Sequence, residues 1–250
     1  MRMRKKPNLE PRMEKCAELL ISEPAGLKGK WRESFPFAER ICLELGCGKG
    51  RFTVGTAQAE PSTLLLALER VPSAMVIAME RARDSGTENI RFIDADAAEL
   101  DEMFADAELE RIYINFCDPW PKSRDAKFRL TAPGFLRSYC RLLPVGGQIH
   151  FKTDNLPLFI WSIGQFEAEG WELSEVTNDL HCHGTAGVMT DYEQKFCAEG
   201  MKINRLVAVK TAKTLSTAAG APQRLRNASL TDARGFDRSV ADNLSREDEL

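Results

Sequence analysis

Residues 43–52 read LELGCGKGRF: an apolar run carrying the acid Glu44, then glycine at 46, 48 and 50, then the opening of a helical pattern. Glycines at alternate positions let the backbone turn sharply and come close to a ligand, and the helix that follows offers free N–H groups at its N-terminus. A dinucleotide-binding turn instead wants G-x-G-x-x-G with a pyrophosphate resting on that helix. Here Phe52 and Thr53 follow Gly50, so the spacing fits that motif poorly. Glu44 would repel a diphosphate but suits a ligand bearing an ammonium group and a sulfonium. S-adenosylmethionine is such a ligand.

Outward from this turn, from about residue 40 to 177, short β-branched or apolar runs alternate with helical-looking segments, the pattern of a doubly wound α/β sheet. Strands are expected at 41–45, 64–69, 90–94, 111–117, 147–153, 171–177 and 203–209, and helices at 50–59, 73–84, 134–143 and 157–168. Pro72, Pro133 and Pro157 lie near helix starts, and Gly146-Gly147 follows a stop. Asn178 to Gly200 is left as a long loop region, and long loops in compact domains are often functional. The sequence shows no internal repeat.

Two further acids end strands on the same side. Glu69 closes LLLALE, 19 residues past Gly50, where a carboxylate can bind both ribose hydroxyls. Asp96, in IRFIDADA, follows the third strand and can touch the adenine edge. Each acid taken singly is as readily a helix cap or a solvated loop residue; three at successive strand ends fall together on the ligand-binding rim of an open α/β sheet. The fourth strand adds IYINFCDPWPKSR, residues 112–124, and stops at Asp118. Pro119 and Pro121 restrict the backbone on both sides of Trp120, which places Asp118 accurately. Trp120 either packs into the core or stacks on a flat substrate.

Length and composition fit a folded body: 250 residues, 43% hydrophobic, enough to bury a full core as one large domain or two small ones. Seven cysteines are scattered without framework spacing, and no apolar run resembles a signal peptide or a membrane span, so free thiols in the cytoplasm are expected. Net charge is −3, yet residues 1–32 hold nine Lys/Arg against four Glu, and Lys122, Arg124, Lys127 and Arg129 surround one Asp125. Residues 1–32 read as a basic N-terminal extension in which Met13 to Ile21 could form a short helix. Residues 211–250, with six basic and six acidic groups and few large apolar residues, are expected to form a disordered tail.

LELGCGKGRF, NFCDPWPKSRDAKFRLT, FKTDN and VMTDYEQKFCAEGMKI, in this order and spacing, resemble the bacterial tRNA (guanine-7)-methyltransferase family. The resemblance covers about residues 30–210. It implies a Rossmann-like class I methyltransferase domain over 33–210, helices on both sheet faces and an antiparallel last strand. It also implies methyl transfer from S-adenosylmethionine to position 7 of a tRNA guanosine, in the variable loop at position 46, by a monomer or homodimer without metal or membrane. By that resemblance the cofactor carboxylates are Glu44, Glu69, Asp96 and Asp118, which join the turn glycines Gly46, Gly48 and Gly50 as cofactor-binding residues. Asp118 is also the catalytic acid, while Lys122, Asp154, Thr190, Asp191, Tyr192 and Glu193 meet guanosine or tRNA; Arg124, in the same basic segment as Lys122, is a further substrate-binding candidate, and Thr190 to Glu193 are expected to form a loop closing on the nucleoside. The family's basic run after D-P-W-P-K is altered here by Asp125 and Phe128, which bears on the grip on RNA.

Guanine N7 carries an in-plane lone pair and no proton, so the reaction needs positioning rather than a general base. Asp118 and Asp154 both remain candidates for the carboxylate that steadies the emerging positive charge. His181-Cys182-His183 invites a metal reading, but three adjacent extended residues cannot all point at one ion. Cys117 has no histidine partner in sequence for nucleophilic work, and a small buried thiol is the commoner case. A catalytically silent S-adenosylmethionine-binding or tRNA-binding subunit is the alternative; a nicotinamide dehydrogenase is disfavoured by the glycine spacing.

Overall fold

The computed structural model describes residues 8–217. Arg2, Arg4, Lys5, Lys6 and the tail from 218 onward lie outside the described residues. The described residues form seven strands: β1 Arg40–Leu45, β2 Thr63–Leu68, β3 Ile90–Ile93, β4 Arg111–Asn115, β5 Gln148–Thr153, β6 Glu172–Thr177 and β7 Asn204–Val209. The helices are α1 Leu9–Glu14, α2 Trp31–Ser34, α3 Arg51–Ala59, α4 Pro72–Asp84, α5 Leu100–Met103, α6 Pro133–Leu142, α7 Leu156–Ala168, α8 Asp191–Ala198 and α9 Ala212–Thr217. The strands order as β3-β2-β1-β4-β5-β7-β6. β7 runs antiparallel to both its neighbours; every other pairing is parallel. Strand order reverses between β1 and β4, which opens a crevice beyond their carboxyl ends.

Period-two alternation divides the core. Ile41, Leu43, Leu45, Leu66, Ile112, Ile114 and Phe151 meet Trp31, Phe104, Leu136 and Phe159 on one face. Cys42, Leu65, Ala67, Phe92 and Tyr113 meet Phe52, Met75, Ala78 and Met79 of α3 and α4 on the other. Burying both faces is what a parallel sheet requires, and it explains the nearly continuous apolar strands.

The N-terminal segment is a strap on this body. Leu20 bridges to Phe92 on β3, Trp31 is wholly buried with its indole donating to the Met103 carbonyl (3.0 Å), and Arg12 grips Glu80 of α4 through two bonds of 2.7 and 2.6 Å. The helix expected over Met13 to Ile21 is instead α1 followed by a 3-10 turn at Ala17–Leu19, because Pro11 and the strand bridge fix the chain on both sides. Of the basic residues here, Arg32 pairs with Glu110 and Lys28 with the Asp101 carbonyl. These cations hold the strap down.

The long loop expected at 178–200 contains α8, started by a capping box in which Thr190 Oγ1 accepts from Glu193 N while the Glu193 carboxylate accepts from Thr190 N. The order also extends past Lys210: α9 follows β7, and Thr214, which is buried, donates to the Gly170 carbonyl at 2.9 Å. A chain ending at Lys210 loses that bond and is expected to be about 1–2 kcal/mol less stable than one ending at Thr217. Urea titration of the two truncations measures the difference; equal midpoints would refute it.

Candidate active site

β1 hands the chain to α3 through Gly46, Gly48 and Gly50, all with positive φ. At Gly50 an added Cβ would come within 2.6 Å of Ala78 Cβ and 2.8 Å of its Cα, so α3 and α4 approach only over a glycine. At Gly46 and Gly48 a Cβ would meet nothing within 4 Å, which leaves open space above the turn. The amides of Gly46 and Cys47 donate to Leu68 O, and Gly48 N donates to Glu69 Oε2 (2.9 Å). Glu69 Oε1 accepts from Val71 N at 2.9 Å. A buried carboxylate thereby joins the glycine turn to the end of β2, and each oxygen keeps a lone pair for a hydroxyl.

Glu44 stands deeper. It accepts from Thr53 Oγ1 at 2.6 Å and from Asn115 Nδ2 at 3.3 Å. Burial pushes its carboxyl up to about 7, against the pull of these two hydrogen bonds and of Lys152. Asp96 caps a 3-10 turn by accepting from Ala98 N (3.0 Å). Arg70 spans two of the acids, its Nη1 at 3.4 Å from Asp96 and its Nη2 at 3.9 Å from Asp118.

The stretch 112–124 leaves the sheet two residues earlier than the sequence suggests. Phe116 adopts φ 53° and Trp120 φ 44°, so β4 ends at Asn115 and the turn that follows aims Asp118 outward with its side chain 71% exposed. A left-handed conformation in two bulky residues costs energy that the surroundings must hold. Here Arg129 donates to the carbonyls of Pro119 and Trp120, clamping the turn from below. Trp120 is half-buried against Phe128, ring centres 5.3 Å apart, rather than sunk in the core. Lys122, just before the 3-10 segment Ser123–Phe128, and Arg124 within it are exposed, and Asp125 lies 3.9 Å from Arg124.

Across the crevice, α8 supplies the remaining residues. Tyr192 packs on Phe116 (5.1 Å between centres) and its hydroxyl donates to Asp154 Oδ2 at 3.3 Å. Asp191 takes two bonds from Arg81, at 2.8 and 3.1 Å. Glu193 is fully buried and held by Lys152 and His181. The expected loop at Thr190–Glu193 is thus an N-cap and first helical turn, because the capping box satisfies its end amides. A cavity of about 290 Å³ lies beneath, between α3 and strands β4, β5 and β7, lined by Phe52, Thr56, Tyr113, His150, Lys152 and Val188. Burial holds the His150 imidazole down at about 3, so it faces this space uncharged.

Two other sequence features resolve simply. His181 turns to Glu193 while Cys182 and His183 are exposed, and no group of three His, Cys, Asp or Glu among the described residues is arranged to hold a metal. Burial pushes the Cys117 thiol up to about 12, which leaves no thiolate near neutral pH. Sequence reasoning missed Arg70, Arg81, Asn115, Lys152 and His181. Asn115 and Lys152 were findable: they pair in register at the ends of β4 and β5, and polar residues closing apolar strands are a site signal.

The donor set fits S-adenosylmethionine: carboxylates suited to hydroxyls and cations, and glycines with open space where a backbone must approach a ligand. A family model described as "Putative methyltransferase" matches residues 38–206. Among solved structures, the 16S rRNA methyltransferase KamB matches with TM-score 0.58 at 15% identity, covering 73% of this chain and 93% of that one, which establishes the fold. A tRNA (guanine-N(7)-)-methyltransferase of Listeria monocytogenes is 42% identical over 209 residues, 83% of this chain and 98% of that protein. One from Bacillus subtilis is 41% identical over 206 residues, 82% and 97% of the two chains. With that identity spread over the whole body, and with the acid rim and the Asp118 turn in place, the chain belongs to the tRNA (guanine-N(7)-)-methyltransferase family.

Proposed function

We propose that this protein transfers a methyl group from S-adenosylmethionine to N7 of a tRNA guanosine, at position 46 in the variable loop, acting in the cytoplasm as a monomer or homodimer. The observation that carries the reading is the run of acids Glu44, Glu69, Asp96 and Asp118 at or just past the ends of four parallel strands, with an aromatic pair, Phe116 and Tyr192, where β4 ends. S-adenosylmethionine supplies an electrophilic methyl group when bound. Glu69 takes the ribose hydroxyls, Asp96 the adenine edge, and the turn Gly46–Gly50 with Glu44 behind it the amino-acid end.

The residues opposite orient the nucleophile. N7 needs no deprotonation, so the work is alignment, which at its favourable limit is worth about 7–11 kcal/mol. Asp118 is the catalytic carboxylate, placed to interact better with a guanine ring gaining positive charge than with the ground state. Asp154, Thr190, Asp191 and Tyr192 hold the guanosine, with Glu193 beneath them. Methyl incorporation into unmodified bulk tRNA by the purified chain, with the modified position mapped in one transcript, tests the whole reading. No incorporation would leave the chain a silent binding subunit, and a methyl at another position would move the substrate assignment.

Lys122 and Arg124 are assigned to tRNA phosphates, since both are exposed a few residues after Asp118 and the pairing of Arg124 with Asp125 is loose at 3.9 Å. Each phosphate contact contributes about −0.9 to the log–log salt slope on duplex and about −0.7 on single strands. Lys122→Ala with Arg124→Ala is therefore expected to flatten that slope by about 1.5 and to weaken tRNA binding at low salt. Filter binding across a salt series reads both quantities; an unchanged slope would make this segment an ordinary solvated face.

A further inference from the structure

The cluster beneath α8 is built around a buried carboxylate, Glu193, with Lys152 and His181 mostly covered beside it. Lys152 Nζ donates to Glu193 Oε2 at 2.6 Å and to Val188 O at 3.1 Å, and the two side chains are 8% and 0% exposed. Ala186 N donates to His181 Nδ1 (3.1 Å), so the other ring nitrogen carries the proton and donates to Glu193 Oε1 at 2.9 Å. Thr190 N adds a bond to Oε2 at 3.1 Å. One carboxylate thus gathers donors from β5, from the loop before α8 and from the helix cap.

Burying such a pair brings little net stability, because desolvation offsets most of the attraction, so its value lies in the one geometry that satisfies every donor. That geometry fixes the first turn of α8 against β5. Two residues past Lys152, just beyond the end of β5, lies Asp154, and one residue before Glu193 lies Tyr192, which reaches Asp154 and Phe116. We propose that Lys152, Glu193 and His181 are positioning residues for substrate: their buried cluster sets Tyr192 against Phe116 and Asp154, and none of the three touches the nucleoside. The inference rests on the reading that this rim receives a tRNA guanosine.

The test compares Glu193→Gln, Lys152→Met, the Lys152→Met/Glu193→Gln double variant and His181→Ala with wild type. KM and kcat are measured with unmodified tRNA, the Kd of S-adenosylmethionine by calorimetry, and folding by thermal melts. Each single variant is expected to raise KM for tRNA at least tenfold while the Kd of S-adenosylmethionine stays within about threefold. The double variant removes both members of the buried Lys152–Glu193 ion pair and should recover to within about threefold of wild-type KM. If Glu193 met the guanosine directly, the double variant would be at least as impaired as Glu193→Gln, and that result overturns the proposal. So do single variants within twofold of wild type, or a KM that rises in step with the Kd of S-adenosylmethionine. Should a single variant fail to fold, His181→Ala and the double variant carry the comparison. A wild-type chain inactive on tRNA overturns the reading of the rim and this inference with it, whereas an active wild type with unmoved variants overturns this inference alone.

Discussion

Asp118→Asn is expected to slow single-turnover methyl transfer by about two orders of magnitude, the rate equivalent of ~3 kcal/mol of lost transition-state stabilisation, with S-adenosylmethionine binding nearly unchanged. The substitution keeps the shape of the side chain and its reach beyond the turn but removes the negative charge. Charge matters here because the reaction moves a positive charge onto the guanine ring, and only an interaction that strengthens during that movement raises the rate. The side chain is exposed, its ion-pair neighbour among the described residues is Arg70, at 3.9 Å, and its backbone is held by the turn that Arg129 clamps. Since N7 has no proton to lose, added small bases should not restore the variant. Measurement at saturating cofactor and tRNA separates chemistry from binding. Near-wild-type turnover would move the catalytic role to Asp154.

Glu69→Ala should weaken S-adenosylmethionine binding by about two decades, more than a single surface contact would explain. Its carboxylate does two things at once: it accepts from Gly48 N and Val71 N, and it presents lone pairs to the ribose position. A hydrogen bond to a charged group is worth about 1.5–3 kcal/mol, and removing the carboxylate also releases the glycine turn it restrains. Glu69→Gln keeps one acceptor and should fall between the two. Titration calorimetry reads the affinities directly; an unchanged Kd for the alanine variant would take Glu69 out of the cofactor site and leave it a support for the turn.

The strands that build the core were legible because burial on both faces writes long apolar runs, as in TLLLAL of β2, where every residue is buried. The helix starts were legible from Pro72 and Pro133, each the first residue of its helix. α8 was missed although Thr190-x-x-Glu193 is a capping signature, since its apolar residues are too few to show a period. The strap was read only as a basic extension. Its hold on the body depends on Trp31 reaching Phe104 and on Arg12 reaching Glu80, 68 residues away, and no local pattern records such a distance.

The parallel sheet, the acids at the strand ends and the stiff turn at Asp118 can be read along the chain, because they depend on neighbours within a few residues: periodicity, proline and glycine stereochemistry, and strand termini. Which charges are free to act depends instead on packing in three dimensions. Lys152 and Lys122 are the same residue type; one is sealed against Glu193 under α8 and the other stands in water a few residues after Asp118. Glu44 and Asp118 are both acids following apolar strands, yet burial raises the first toward neutrality while a left-handed step at Phe116 carries the second to the surface. Desolvation and long-range pairing are set by what packs from elsewhere in the chain, and these give the acids of one row different burial and different charge.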